Sequence, residues 1–357
     1  MGSPAVSGLP PILACMTLMD KSRFLFQFLA QQERVEKMNI LVVGAGAVGQ
    51  VYAWHLAQAG HAVSFFVKEK YVESLSQGST LHRLGHSRNR QQDFQGFGLV
   101  TDLVHLAAQR WDQIWLALSS DALRTELTTG ILASVGQATV VCLQPDLEDI
   151  DFVRARVPVH QVVQGLITFI SFQSPLPGCR GPSGMAYYLP PLAPGLFGGP
   201  DSQRVRSVVA GLNKGGMTAK VVSDFARAGA GAPAIMQPLV AALELNQWRL
   251  QGFVSSQHFA IGLDAAREAM TVANRHVGAD VRLLKMLLRP LLWRLLLPVV
   301  RQILPFDLEG QLKYHFSKVR PQTLLMLNSY SRLGASYGLP TSALNTLRGQ
   351  LAELPAA

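Results

Sequence analysis

A chain of 357 residues is long for one domain and suits two. With 48% hydrophobic and 15% charged residues it can bury a substantial core, which excludes an intrinsically disordered chain. The net charge is +9, and residues 271–320 hold nine Lys/Arg against three Asp/Glu, so +6 of it lies in fifty residues. Such a concentration attracts phosphates, membranes or anionic substrates, or is a solvated helix face. The three cysteines, Cys15, Cys142 and Cys179, lack metal-ligand or redox-pair spacing, so a reducing, cytoplasmic setting is expected.

Residues 1–37 do not fit a secretory signal, because the apolar run "LPPILACMTLM" has no basic segment before it. Met38 directly precedes the first strand. Translation is therefore expected to start there, leaving residues 1–37 as an over-extended start or a loosely attached extension.

"NILVV" (39–43) is a short run rich in β-branched residues, the form of a buried parallel strand. Gly44, Gly46 and Gly49 follow in a G-x-G-x-x-G pattern, and "QVYAWHLAQAG" continues with helical periodicity, placing Val48, Tyr52, Leu56 and Ala59 on one face. "HAVSFFV" (61–67) then reads as a second strand. In this setting the pattern points to dinucleotide binding. Gly44 permits the tight turn, Gly46 lets backbone approach the pyrophosphate, and Gly49 allows close helix–strand packing. With Ala45, Ala47 and Val48 these residues form the predicted phosphate cradle at a helix N-terminus.

The second strand runs into "KEK", with Lys68 nineteen residues after Gly49. An acid here would hold the ribose 2′-hydroxyl of NAD, whereas lysine favours the 2′-phosphate of NADP. NADP (as NADPH) is the expected cofactor, although Glu69 is an acid near the position expected for NAD.

"WDQIWLALS" (111–119) and "ATVVCLQ" (138–144) read as further strands, with "SDALRTEL" opening a helix between them. Beyond Val162, turn-rich segments such as "FQSPLPGCRGPSG" mark loops or antiparallel hairpins. "GLNKGGMTAKVVSDF" reads as helix end, turn and strand, and from Asp224 the chain is expected to be helical to Leu351. The stretch "LHRLGHSRNRQQ", with His82 and His86, is expected to be an exposed loop, and no metal site is predicted. "LLKMLLRPLLWRLLLPVVRQIL" (283–304) carries four basic residues, each costing about 2.5–3.5 kcal/mol at mid-bilayer. Pro290 and Pro298 should break it into short amphipathic helices packed in a domain, so a spanning helix is not expected.

This layout resembles the ketopantoate (2-dehydropantoate) reductase family over roughly residues 38–350. The resemblance rests on "ILVVGAGAVG", the basic residue after the second strand, "LNKGGMTAKVVSDF", and "LNSYSRLGASYGLPTSALNTL" near the C-terminus. It implies an α/β fold, with an N-terminal Rossmann domain (38–222) followed by an all-helical domain (223–357). It also implies NADPH-dependent reduction of an α-keto acid, a small carboxylate substrate, in the cleft between them.

Several positions depart from the family's pattern. Its usual strand-end lysine falls at Ser119, and its Q-N-G reads Gln144-Pro145-Asp146 here. A gapless reading through the helical opening W-x-K-L-x-x-N-x-x-x-N-P places Gly229 at the lysine, Pro233 at the first asparagine and Gln237 at the second. The family's E-x-D falls at Gln322 and Leu324. Ser119 and Gln144 are carried over as cofactor contacts, and Gln237 and Gln322 as substrate candidates. Glycine supplies neither proton nor charge, and glutamine hydrogen-bonds without titrating. "HFSKVRPQT" offers a replacement: His315, Lys318 and Gln322 would share a face of one continuous helix, although Pro321 is expected to start a new one. Lys318 is the candidate catalytic residue, with His315 assisting near the substrate.

The reading is an NADP-dependent oxidoreductase of small keto acids, a monomer or homodimer, without nucleic-acid partners and with no membrane contact expected. A non-catalytic NADP-binding sensor or interaction protein is the alternative, and a peripheral membrane protein using residues 282–301 is a third.

Overall fold

The computed structural model describes residues 36–86, 88–278 and 288–355. The expectations for residues 1–35, and for the start of the apolar stretch at 283–287, lie outside the described residues. The strands are β1 (Asn39–Val43), β2 (Ala62–Phe66), β3 (Ser79–Arg83), β4 (Arg90–Phe94), β5 (Gly98–Val100), β6 (Gln113–Leu116), β7 (Thr139–Cys142), β8 (Val162–Leu166), β9 (Ile170–Ser174), β10 (Gly184–Tyr188), β11 (Gly195–Gly198) and β12 (Ala219–Val221). Eight form one sheet in the order β12-β11-β8-β7-β6-β1-β2-β5. The run from β8 to β5 is parallel, and β11 joins it antiparallel.

The central strands are buried on both faces. All four residues of β6 and of β7 are buried, as are four of the five in β1, which is why "NILVV", "QIWL" and "TVVC" are short apolar runs without alternation. One apolar core gathers on each face, and Trp115 lies wholly buried between Tyr52 and Phe197.

Helix α1 (Ala47–Gln58) touches β1 and β2 on one side and β9 and β10 on the other. It is therefore covered from two directions: Val51, Ala53 and His55 are buried along with Tyr52 and Leu56. The single apolar face expected from the sequence is too narrow an account of it. His55 serves packing, its Nδ1 lying 2.6 Å from the Gly215 carbonyl, and burial lowers its pKa.

The second sheet, β4-β3-β10-β9, corrects the exposed-loop expectation for the two ends of "LHRLGHSRNRQQ", which lie in β3 and β4, while His86, Arg88 and Asn89 between them are exposed and outside the strands. His82 lies in β3, is buried, and has Nε2 3.0 Å from the Ser183 carbonyl. The pairing that buries it joins β3 to β10, about a hundred residues later, so local sequence gives no sign of it.

Among the further helices that connect the strands are α2 (Ser120–Leu123), α3 (Asp149–Arg154) and α4 (Ser202–Lys214). Beyond β12 the described chain is helical: α5 (Gly231–Leu245), α6 (Gln257–Val277), α7 (Pro290–Ile303), α8 (Leu308–Lys318), α9 (Arg320–Ser336) and α10 (Ser342–Ala352). Small residues let α5 and α6 approach closely; a Cβ on Gly262 would stand 2.5 Å from the Ala242 methyl. The stretch Phe225–Leu245 is long and apolar enough to cross a membrane, but 78% of it is buried in this helical core.

Pro298 does not break α7, contrary to expectation. Proline removes one N–H and leaves the carbonyl four residues earlier unbonded. On an exposed helix water can satisfy that carbonyl, and no residue of α7 is buried.

Candidate functional site

The strand order reverses at β1, whose neighbours β2 and β6 lead outward in opposite directions. The crevice beyond the carboxyl ends of β1 and β6 is where such sheets bind ligands. The turn Gly44–Gly49 stands there. Gly44 has φ +101°, and a Cβ would lie 2.8 Å from the Ala117 carbonyl, so only glycine fits this turn. Gly49 is packed harder still: its Cβ would fall 2.0 Å from the Gly44 carbonyl oxygen. A Cβ on Gly46 would meet nothing within 4 Å.

Two glycines are thus demanded by the fold, and the third leaves open space on the crevice side. Gly46 caps α1 without a side-chain acceptor, and the first turn holds no acid, so its amide groups and partial positive charge are free for an anion. Gln50 braces the turn, donating from Nε2 to the Ala45 carbonyl at 2.8 Å, with its Oε1 bonded to the Ser79 hydroxyl. These observations fit a dinucleotide pyrophosphate. Ala45, Ala47 and Val48 are half-buried along the same wall.

Lys68 is exposed just past β2 and has no carboxylate partner among the described residues. Lys70 lies over the Tyr71 ring, 5.1 Å from its centre. Ser119 is half-buried at the N-cap of α2, and its hydroxyl makes no cap bond. Gln144 is tied up by its own backbone surroundings. It donates to the Leu116 and Leu118 carbonyls at 2.8 Å each and accepts from the Leu143 amide at 3.2 Å, fixing the ends of β6 and β7.

The first turn of α9 gathers Gln237 and Gln322. Gln322 Oε1 accepts from the Ser120 amide at 2.8 Å, and the next residue, Thr323, donates to the buried Gln237 Oε1 at 3.2 Å. The chain breaks at Val319, so His315 and Lys318 on α8 do not continue this face. Lys318 is exposed, 3.7 Å over the Tyr314 ring and bonded to its hydroxyl, which donates to Gln173 of β9 at 2.9 Å. Burial, then Lys318, lowers the pKa of His315. The helix-sharing triad expected from the spacing is therefore split, as Pro321 foretold. Gly229 is buried, and a Cβ there would stand 3.0 Å from the Phe225 ring.

One cluster has no counterpart in the expectations. Asp146 and Asp149, both buried, follow β7. Asp149 accepts from Ser120 Oγ at 2.7 Å and from the Asp146 amide at 2.9 Å, and Arg124 pairs with both carboxylates. The acidic run "DLEDID" after a strand was the available signal. Burial first, and Asp149 second, push the Asp146 carboxyl up to about 7; burial also raises Asp149.

The sign of the consequence is unusual for an aspartate. The folded chain keeps this proton to about pH 7, whereas an unfolded chain releases it near about 3.9. Stability therefore falls as pH rises across that window and remains at the lower level above it. Asp146→Asn should raise stability at pH 8 and leave it nearly unchanged at pH 4. Thermal melts at both pH values check this; equal melting at pH 8 would show that Arg124 already neutralises the penalty.

Among the described residues no group of three His, Cys, Asp or Glu side chains is placed to hold a metal. Cys142 is buried and Cys179 exposed, both as free thiols.

A parallel sheet with a glycine turn at its switch point, followed by a helical region, defines a Rossmann-like α/β protein. Within that class, residues 40–178 match the family model described as ketopantoate reductase PanE/ApbA, and the chain shares the fold of solved ketopantoate reductases. No curated protein matches the chain.

Solved structures share the whole architecture at low identity. A PanE/ApbA family ketopantoate reductase from Ralstonia eutropha is 17% identical, with a TM-score of 0.65 over 88% of this chain and 97% of that one. A 2-dehydropantoate 2-reductase from Geobacter metallireducens is 16% identical, with a TM-score of 0.65 over 88% and 99%. A D-mandelate dehydrogenase in a ternary structure with NADH and anilino(oxo)acetate is 14% identical, with a TM-score of 0.64 over 88% and 97%.

Proposed function

We propose that this protein is an NADP-dependent oxidoreductase that reduces an α-keto acid or a similar small carbonyl compound. The carrying observation is the glycine turn, whose one uncrowded glycine faces the crevice at a free helix N-terminus. The mandelate dehydrogenase of the same fold binds NADH with an oxoacid-derived ligand, which supports a nicotinamide cofactor and a carboxylate substrate. NADPH, when bound, would supply the hydride. Gly44–Gly49 would hold the pyrophosphate, Lys68 the 2′-phosphate, and Ser119 a polar edge of the crevice. Gln237 and Gln322 would line the substrate side, with Lys318, assisted by His315, as cation or proton donor. In this reading the protein is cytoplasmic, a monomer or homodimer, with no nucleic-acid partner.

Selectivity is testable at Lys68. A charge-assisted hydrogen bond contributes roughly 1.5–3 kcal/mol, so NADPH should bind about tenfold or more tightly than NADH at low salt. Lys68→Ala should shrink that preference without unfolding the chain. Fluorescence titration with both nucleotides measures it, and equal affinities would assign control to Glu69.

A second reading, a non-catalytic NADP-binding protein, draws on a different observation: Gln144, Gln237 and Gln322 all spend hydrogen bonds on the protein itself, and Lys318 rests on Tyr314. NADPH oxidation by the purified chain against a panel of α-keto acids separates the two.

A further inference from the structure

Helix α7 carries six of the thirteen exposed large hydrophobic side chains found among the described residues. Leu291, Leu295, Leu296, Val299, Val300 and Ile303 are between 39% and 66% exposed. The helix has no acid, and Arg294 and Arg301 are exposed on it without carboxylate partners among the described residues. Singly exposed aliphatics need no explanation, but six on one fourteen-residue helix form a patch that does.

The carboxyl end of this helix borders a basic cavity. His86, exposed at the cavity wall, has Nε2 2.6 Å from the Ile303 carbonyl. The cavity, about 280 Å³, is lined by Arg83, Arg88, Arg90, Tyr188 and Pro191 among others, with no carboxylate. Arg83 and Arg90 are directly opposed on the antiparallel strands β3 and β4. Like charges in that register destabilise a sheet, and no described acid pairs with either arginine. Beside Pro191, Leu192 is fully exposed at φ +63°, a backbone angle that costs a leucine energy.

An apolar face alone names no partner, and an arginine cavity alone fits any phosphate. Their continuity through Ile303 and His86 fits a ligand that is apolar and anionic at adjacent points. We propose that α7 and this cavity dock the protein on an anionic phospholipid surface, with the aliphatic face of α7 and Leu192 among the acyl chains and a lipid phosphate between Arg83 and Arg90. The inference goes beyond the oxidoreductase reading and does not depend on it.

The test is vesicle flotation of the full chain with phosphatidylcholine alone and with phosphatidylcholine mixed with phosphatidylglycerol, at low and high salt. Flotation is expected only with the anionic vesicles and should weaken at high salt. An arginine near an anionic surface contributes about fivefold in binding, so Arg83→Gln with Arg90→Gln should weaken it roughly twenty-five-fold. That pair should also leave the melting temperature unchanged or raised, since it relieves a like-charge contact. Leu295→Ser with Val299→Ser should weaken flotation about tenfold or more, with the fold checked by circular dichroism. Flotation that ignores both pairs overturns the proposal. So does absence of flotation together with a dimer, seen by sedimentation equilibrium, that Leu295→Ser dissolves; α7 would then be a contact between copies. Thermal stabilisation by inorganic phosphate that needs Arg83 and Arg90, without flotation, would overturn the lipid assignment in favour of a soluble phosphate ligand.

Discussion

Gly46→Val is expected to fold like the wild type and to lose dinucleotide binding by at least about a hundredfold. Each charge-assisted hydrogen bond to a phosphate contributes roughly 1.5–3 kcal/mol, and a valine here would hold the pyrophosphate away from several amides at once. The protein itself has no objection to the side chain: φ at Gly46 is −72°, an angle any residue adopts, and a Cβ meets nothing within 4 Å. Gly49→Val is the contrasting control. Its Cβ would fall 2.0 Å from the Gly44 carbonyl oxygen, so that variant should fail to fold or melt far below the wild type. Cofactor fluorescence titration and thermal melts on both proteins separate the two effects. A folded Gly46→Val chain that binds NADPH normally would remove the dinucleotide reading altogether.

What the sequence made legible was local. The first strand, the turn, α1 and the second strand occupy consecutive residues, and their signals are short-range: a β-branched run, three spaced glycines, a helical period. The second sheet was illegible because its decisive pairing spans about a hundred residues, and because β3 and β4 carry arginine and glutamine that read as solvent-facing loop. Gln144 and Gln322 were legible as positions but not as roles. An amide that could reach a cofactor looks the same in sequence as one already bonded to Leu116, Leu118 or Ser120. Asp146 was legible only as an acid; its raised pKa comes from burial against α9 and from Asp149, which only the packing reveals.

Turnover of ketopantoate is expected to be weak or absent, because loss of a positioned general acid costs about 10²–10⁴-fold in rate. Loss of a cation for the substrate carboxylate should raise KM as well. The position read as the family's helical lysine is Gly229, and the space a side chain would need there meets the Phe225 ring at 3.0 Å. Gln322 cannot titrate, and its oxygen already accepts from the Ser120 amide. Lys318 is the candidate cation that remains, resting on Tyr314 at the edge of β9, from which its flexible stem would have to swing to meet a substrate. If it does, Lys318→Ala should remove most turnover on the true substrate while leaving NADPH affinity unchanged. Gln322→Glu preserves an acceptor for the Ser120 amide, so the fold should tolerate it, and it restores a titratable group at the carboxylate position. The informative measurement is kcat/KM for ketopantoate and for the best substrate of an α-keto acid panel in the wild type and both variants. Robust wild-type turnover of ketopantoate that ignores Lys318→Ala would mean that the reading of the helical region, and the catalytic site built on it, is wrong.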